Sequence, residues 1–325
     1  MAEEQEQEQS SDPGAKTLGN FPFYYQFNPV DERLNKLDSA HVVSTILSVD
    51  NGVKDDVPFC LLDIGCNTGE LTVELQRLLA SQTKRQVHCF GCDVDPRLVE
   101  TARASFLSGN SARIQQQGGK VEADAPRSLE FGVLDVSEHD ALAVEAERFL
   151  RARGRDRFSL VCLFSVTMWI HVNVGDDKFM RTLSTLCNLT DALLVEPQRS
   201  PSYKTCRRRL RRGKGEQPPY IDRLALRGAK LFPAIKLQIE GAGFALVAEL
   251  GTTTWKRPLW LFVRRGNPAC SGGVDVDGGG VGADGDGDGV GIEEGHVQIA
   301  ASDDGGENEL KKTKTAARDD KGDDR

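Results

Sequence analysis

From position 59 onward, short apolar runs rich in β-branched and aromatic residues alternate with stretches whose apolar positions recur every three or four residues. The runs occupy 59–64, 87–92, 129–134, 158–164, 192–195, 244–250 and 259–263. Between the first two, ELTVELQRLLAS sets Leu71, Leu75, Leu78 and Leu79 on one stripe, the spacing of an amphipathic helix. Between the second and third, Pro96 stands at a helix start and is followed by RLVETARASFL. Strands separated by helices predict βαβ units and a mostly parallel sheet. The last two runs break this rhythm. Only GTTTWKRP separates them, too little for a helical crossover but suited to an antiparallel hairpin. The pattern therefore predicts an α/β fold with a seven-stranded sheet, mostly parallel, closed by an antiparallel last strand. Two insertions stand out: SGNSARIQQQGGKVEADAPR (108–127), expected as a flexible loop, and the strongly basic SYKTCRRRLRRGKG (202–215).

Composition divides the chain. From Gly266 the sequence is rich in Gly and Asp and then in mixed charge, and the first 17 residues are similarly poor in large apolar side chains. Neither stretch buries enough surface to offset the entropy of ordering it. The expected organisation is a disordered acidic tail over 1–17, one folded domain over 18–265, and a disordered Gly/Asp-rich tail over 266–325. Charge follows the same partition. The last 60 residues carry 15 acids against 6 bases and the first 17 carry 5 against 1, within a whole-chain charge of −8, so the domain between them is at +5. A mildly basic domain is compatible with a polyanionic partner.

Eight cysteines lie scattered, the amino-terminal stretch is acidic and lacks an apolar segment, and no run reaches membrane-spanning length. A soluble, cytoplasmic protein with free thiols, no membrane association and a monomeric state is expected. Cys89 and Cys92 form a lone CxxC without a second pair to complete a metal site. Asp284, Asp286, Asp288 and Gly289 resemble the start of a calcium loop, but its twelfth position is Gly295 rather than Glu. No metal is expected.

Candidate chemistry begins at LLDIGCNTGEL, where Asp63 ends a buried strand and a glycine turn leads into a helix. Such a loop brings backbone N–H groups and small residues against a ligand at the carboxyl edge of the sheet, with Gly65 and Gly69 placed where a side chain would block the approach. A dinucleotide fingerprint needs a middle glycine, and Asn67 stands there, with Glu70 just beyond Gly69. Glu70 at the helix start is unfavourable for a pyrophosphate, whereas a cofactor bearing a sulfonium and an ammonium group can use nearby acids. Asp93 ends the second strand, where an acid accepts the two ribose hydroxyls of an adenosine. Asp135 and Val136, past the third strand, fall where the adenine amino group and ring would lie. With the closing hairpin, these positions predict a Rossmann-like class I methyltransferase using S-adenosylmethionine.

The substrate side has its own blocks. GNFPFYYQF (19–27), DERL (31–34), SVTMWIHVNVGD (165–176), LLVEPQ (193–198), SYK (202–204) and TTWKRPLWLF (253–262), together with the glycine loop and CDVDP (92–96), resemble the bicoid-interacting domain family of RNA 5′-phosphate methyltransferases. The likeness extends over nearly the whole expected domain. It is closest to the short cytoplasmic branch, which methylates RNA 5′-monophosphates such as those of a tRNA or a microRNA precursor. The resemblance implies cofactor contact from Arg33, Asn67, Asp93, Asp135, Val136 and Phe164. On the resemblance and on donor chemistry, His171, Asn173 and Lys204, with Tyr24 and Tyr203, are the candidates for holding the phosphate. Two departures stand out: Arg199 and Ser200 replace the Pro-Trp that usually follows EPQ, and Phe164 stands where that branch tends to carry Met.

Trp169 is a candidate for stacking on the terminal base. Arg207 and Arg208 lead a basic run that meets no acid between Arg199 and Lys214, a pattern suited to the RNA backbone. A 5′-monophosphate is largely dianionic at neutral pH, so methyl transfer to it asks for orientation more than for a strong base. Three alternatives stay open: a methyltransferase capping the γ-phosphate of a small nuclear RNA, a non-catalytic RNA-binding adaptor, and a small-molecule O-methyltransferase with His171 as base.

Overall fold

The computed structural model describes residues 18–267 apart from 20, 22, 39, 50–55, 118–127 and 213–215. The expected tails, the calcium-like loop, Lys214 and Cys270 lie outside the described residues. Internal contacts divide the chain into Met1–Asp275 and Val276–Arg325, and every described residue belongs to the first unit.

Three short helices, α1 (Tyr24–Phe27), α2 (Asp31–Leu37) and α3 (Ala40–Ser48), precede β1 (Phe59–Ile64). There follow α4 (Glu70–Ser81), β2 (Val87–Asp93), α5 (Pro96–Gln117), β3 (Leu129–Val133), α6 (His139–Arg151), β4 (Leu160–Phe164), α7 (Thr167–Asn188) and β5 (Ala192–Glu196). The chain then forms α8 (Ser200–Arg212), α9 (Leu231–Gly241), β6 (Phe244–Thr252) and β7 (Pro258–Arg264). The strands form one seven-stranded sheet in the order β3-β2-β1-β4-β5-β7-β6. β1 to β5 pair in parallel, and β7 runs antiparallel to both β5 and β6. This is the architecture that the spacing of the runs predicts.

Burial explains the strand patterns. β1, β2, β4 and β5 are buried at every position because helices cover both faces, so they read as continuous apolar runs. Alternate residues serve opposite faces. Leu62 and Ile64 pack with Leu142 of α6, Phe179 of α7 and Ile235 of α9, whereas Phe59 and Leu61 pack with Ile46 of α3, Leu75 of α4 and Val99 of α5. In α4 the predicted stripe is buried at Leu71, Leu75 and Leu79, with Leu78 half-buried at its edge.

One segment corrects the expectation. The stretch assigned to a loop from 108 is helical as far as Gln117, and only 118–127 lies outside the described residues. SARIQQQ is built of residues with good helix propensity, and that preference extends α5 in the absence of an apolar stripe. The basic insertion is, as far as Arg212, part of the regular helix α8, held by a satellite core in which its Cys206 and Leu210 meet Met168 and Val172 of α7 and Ile221 and Leu224.

Candidate active site

The parallel strands β1 and β4 are neighbours whose connections leave in opposite directions, the place where an open α/β sheet forms a crevice at its carboxyl edge. β1 runs into a tight loop with Gly65, Asn67 and Gly69 all at positive φ (72°, 53° and 83°). Asn is among the few side-chain-bearing residues that adopt this region readily. Its backbone N–H donates to Asp93 Oδ2 at 3.0 Å and its Nδ2 to the Phe21 carbonyl at 2.9 Å, tying the loop to the end of β2 and to the segment before α1. Gly69 is constrained differently from the expectation. A Cβ there would fall 2.9 Å from the Phe131 ring and 3.0 Å from Ala102, so its small size lets α4 start against α5 and β3, and it does not line the cavity.

The cavity at this edge is walled by Gly65, Asn67, Asp93, Asp135, Val136 and Phe164, with Tyr24, Trp169 and Asn173 at its other side. Asp93 Oδ1 accepts the Asp95 N–H at 3.0 Å, so each carboxylate oxygen has one backbone donor and keeps further acceptor capacity. Burial raises the Asp93 pKa, with the backbone N–H groups of Asp95, Asn67 and Val94 pulling against it. Asp63 lies away from the cavity wall. It is 2% exposed, accepts the Thr72 hydroxyl at 2.5 Å, and burial lifts its pKa to about 7.

Behind the wall, Arg33 and Glu196 form an ion pair at 2.8 Å with both side chains fully buried. The Arg33 Nη2 also donates to the Tyr24 hydroxyl at 2.6 Å and to Ser165 Oγ at 2.9 Å, and the guanidinium lies over the rings of Phe164 and Trp255. Burial opposes the Arg33 charge, but Glu196 and Tyr24 outweigh it and the pKa rises. Among the described residues its Nη1 is buried without a hydrogen-bond partner, an unmet demand for an acceptor. Glu196 Oε1 takes the Trp255 indole N–H at 2.7 Å, and Arg257 donates to Ser165 Oγ. Ser165 occupies the left-handed region (φ 56°) at the β4–α7 junction. Gln198 clasps that turn: its Oε1 accepts the Thr167 hydroxyl and the Met168 N–H, and its Nε2 donates to the Ser165 carbonyl.

The expected phosphate-holding set is not assembled in one place. His171 is fully buried and lies off the cavity wall. Its Nε2 sits 2.7 Å from Asp176 Oδ1 and its Nδ1 3.0 Å from the Tyr203 hydroxyl. Burial lowers its pKa against the pull of Asp176, so the ring is neutral at neutral pH. An ionised carboxylate only accepts, which makes Nε2 the donor and leaves Nδ1 to accept from Tyr203. Asp176 also receives the Ala225 and Leu226 N–H groups, so His171 is a strut joining α7, α8 and that segment. Tyr203, Lys204 and Arg207 line a different pocket, on the far side of α8. Arg208 is exposed and lines none of these pockets. Trp169 reaches the cavity, but its ring lies against Gly19, where a Cβ would fall 2.2 Å from the indole. The basic run also meets an acid after all: Arg207 and Arg211 bind Asp222 at 3.0 and 3.3 Å.

A second pocket adjoins the cavity through Tyr24, Ser165 and Trp169 and carries Arg209 and Arg257, with Phe23 and Phe27 exposed on its rim. Ser165, Glu196, Gln198, Trp255 and Arg257 are the residues that reading the sequence did not single out, while Arg209 belongs to the basic run already noted. The EPQ and TTWKRP blocks contain four of them, but nothing in their spacing says that a strand-end Glu would meet an Arg placed before β1.

The sheet order, the antiparallel β7 and a cavity at the carboxyl edge of β1, β2 and β4 define a Rossmann-like class I methyltransferase. Residues 158–264 match the family model described as Bicoid-interacting protein 3 (Bin3), and a pre-miRNA 5′-monophosphate methyltransferase of Xenopus laevis is 34% identical over 263 residues, 79% of this chain and 96% of that protein. The chain belongs to this family. RNA 5′-monophosphate methyltransferases of Mus musculus and Homo sapiens are each 32% identical, covering 80% and 77% of this chain and 87% and 81% of their own lengths. Among the described residues no helix is long and apolar enough to cross a membrane, and no His, Cys, Asp and Glu group is arranged to hold a metal.

Proposed function

We propose that the protein transfers a methyl group from S-adenosylmethionine to an oxygen of the 5′-monophosphate of an RNA, such as a tRNA or a microRNA precursor, in the cytoplasm. The observation that carries this reading is the continuity of the cleft. Tyr24, Ser165 and Trp169 belong both to the cavity with Asn67, Asp93 and Asp135 and to the pocket with Arg209 and Arg257.

The residues present fit the cofactor. Its ribose hydroxyls call for an acceptor, which Asp93 supplies; its adenine calls for a polar edge and an apolar face, supplied by Asp135 and Val136; its carboxylate calls for a donor, and Arg33 Nη1 is a buried donor without a partner. When bound, S-adenosylmethionine supplies an electrophilic methyl group on its sulfonium. The chain's own part is to hold the acceptor. A 5′-monophosphate is largely dianionic at neutral pH, so no side chain has to remove a proton, and orientation carries the rate.

Arg257, steadied by Ser165 Oγ and 3.4 Å from the Tyr24 hydroxyl, is the cation that binds the phosphate, with Tyr24 and Asn173 as further donors. His171 acts at one remove, as a positioning residue that holds α7 against α8. Methyl transfer measured on RNAs differing only at the 5′ end tests the reading. Labelling of the monophosphate is expected; labelling of 5′-hydroxyl or triphosphate RNA with the monophosphate untouched would overturn it.

A further inference from the structure

α8 separates two basic pockets. Ser202, Thr205 and Arg209 face the pocket that continues the cleft, while Ser200, Lys204 and Arg207 face another on the opposite side, and the two share no lining residue. The far pocket has a floor of Ile221, Leu224 and Leu231, all buried, and a rim of Lys204, Arg207 and Arg227. Among the described residues no carboxylate lines it. Asp222 offsets Arg207 from outside the lining, while Lys204 and Arg227 make no ion pair among the described residues. Three cations held together over an apolar floor repel one another unless an anion joins them. The methyl transfer itself has no use for them, because the cleft lies on the other face of the helix.

We infer that this pocket binds a phosphodiester of the substrate RNA downstream of its 5′ end, so that the strand crosses α8. The inference rests on the RNA 5′-monophosphate reading above. A helix with its side chains is about 10 Å across and a nucleic-acid strand rises about 3.4 Å per residue, which places that phosphate roughly three nucleotides in. The apolar floor receives the sugar or base face attached to it. RNA length, and not only the chemistry of its end, then enters recognition.

Arg227 is the residue to change, since it is exposed and no side-chain partner holds it among the described residues. Arg227→Ala and Arg227→Lys are compared with the unaltered full-length protein on a 5′-phosphorylated dinucleotide and on a longer RNA with the same end. Turnover and the salt dependence of RNA binding are both measured. For Arg227→Ala the KM of the longer RNA is expected to rise about tenfold, the size of one charge-assisted hydrogen bond, with kcat unchanged. The log–log salt slope of binding should become shallower by about 0.7, one phosphate contact on a single strand. The dinucleotide should be unaffected and Arg227→Lys should stay close to the unaltered protein. Equal losses on both lengths, or no loss on either, would overturn the inference. If the unaltered protein binds the longer RNA but methylates neither, the reaction reading has failed, and the salt slope still decides the pocket.

Discussion

Glu196 is the acid on which the site turns. It faces a buried guanidinium, a serine held in a left-handed conformation and an indole N–H, all within hydrogen-bond reach. Replacing one partner of a buried ion pair leaves the other charge uncompensated, at a cost of about 3–5 kcal/mol. Glu196→Gln is therefore expected to lower stability by about 3 kcal/mol, read from a shift in denaturant midpoint, and to weaken cofactor binding because Arg33 loses its orientation. A change below about 1 kcal/mol would show that the pair is not structural in this way. Arg33 was visible in the sequence only through the family resemblance, since it lies before β1 and outside the βαβ pattern. His171 shows the converse. Its motif suggests chemistry, while full burial and two occupied ring nitrogens make it a brace.

At the level of elements, α7 is two helices merged across Gly175, whose φ of 81° and ψ of 175° are open to glycine alone. A Cβ at that position would also fall 2.9 Å from the Tyr220 ring. The break turns Asp176 back toward His171 and toward the Ala225 and Leu226 N–H groups. Gly175→Ala is expected to cost about 1–3 kcal/mol and to disturb α8 more than the sheet, which hydrogen exchange along the chain would reveal as faster exchange in 200–212. A uniform change along the chain would contradict a local role for the break. Elements with an apolar period, such as α4, were legible from sequence. The second half of α5 was not, because propensity without a stripe looks like loop, and the break in α7 was hidden because one glycine interrupts no hydrophobic pattern.

For the molecule as a whole, the strand directions followed from spacing alone: five helix-length connections and one short one fix a mostly parallel sheet with a reversed last strand. Its electrostatics did not, since Asp63 reads as a cofactor-binding acid at a strand end and lies sealed in the core, off the cavity wall. Folding raises its pKa from the ordinary carboxylate range to about 7, so between about pH 4 and pH 7 the unfolded chain gives up a proton that the folded chain keeps. Stability is therefore greatest at the acid end of that window and falls as pH rises through it, by at most about 4 kcal/mol for this group. Asp93 shifts in the same direction, so Asp63→Asn should flatten the fall without abolishing it, as followed by denaturant titration across that range. An identical slope in the variant would rule Asp63 out as its source.

The hairpin formed by β6 and β7 carries a further consequence. Its turn delivers Trp255 to Glu196 and Arg257 to Ser165 and Tyr24, so the cleft is finished by the hairpin that also closes the sheet. A chain that stops before this hairpin has Arg33 and Glu196 but lacks Arg257, the cation proposed to bind the phosphate. On the proposed reading activity is tied to completion of the fold: a chain that reaches only β5 is expected not to modify an RNA, because neither Trp255 nor Arg257 is there to complete the cleft.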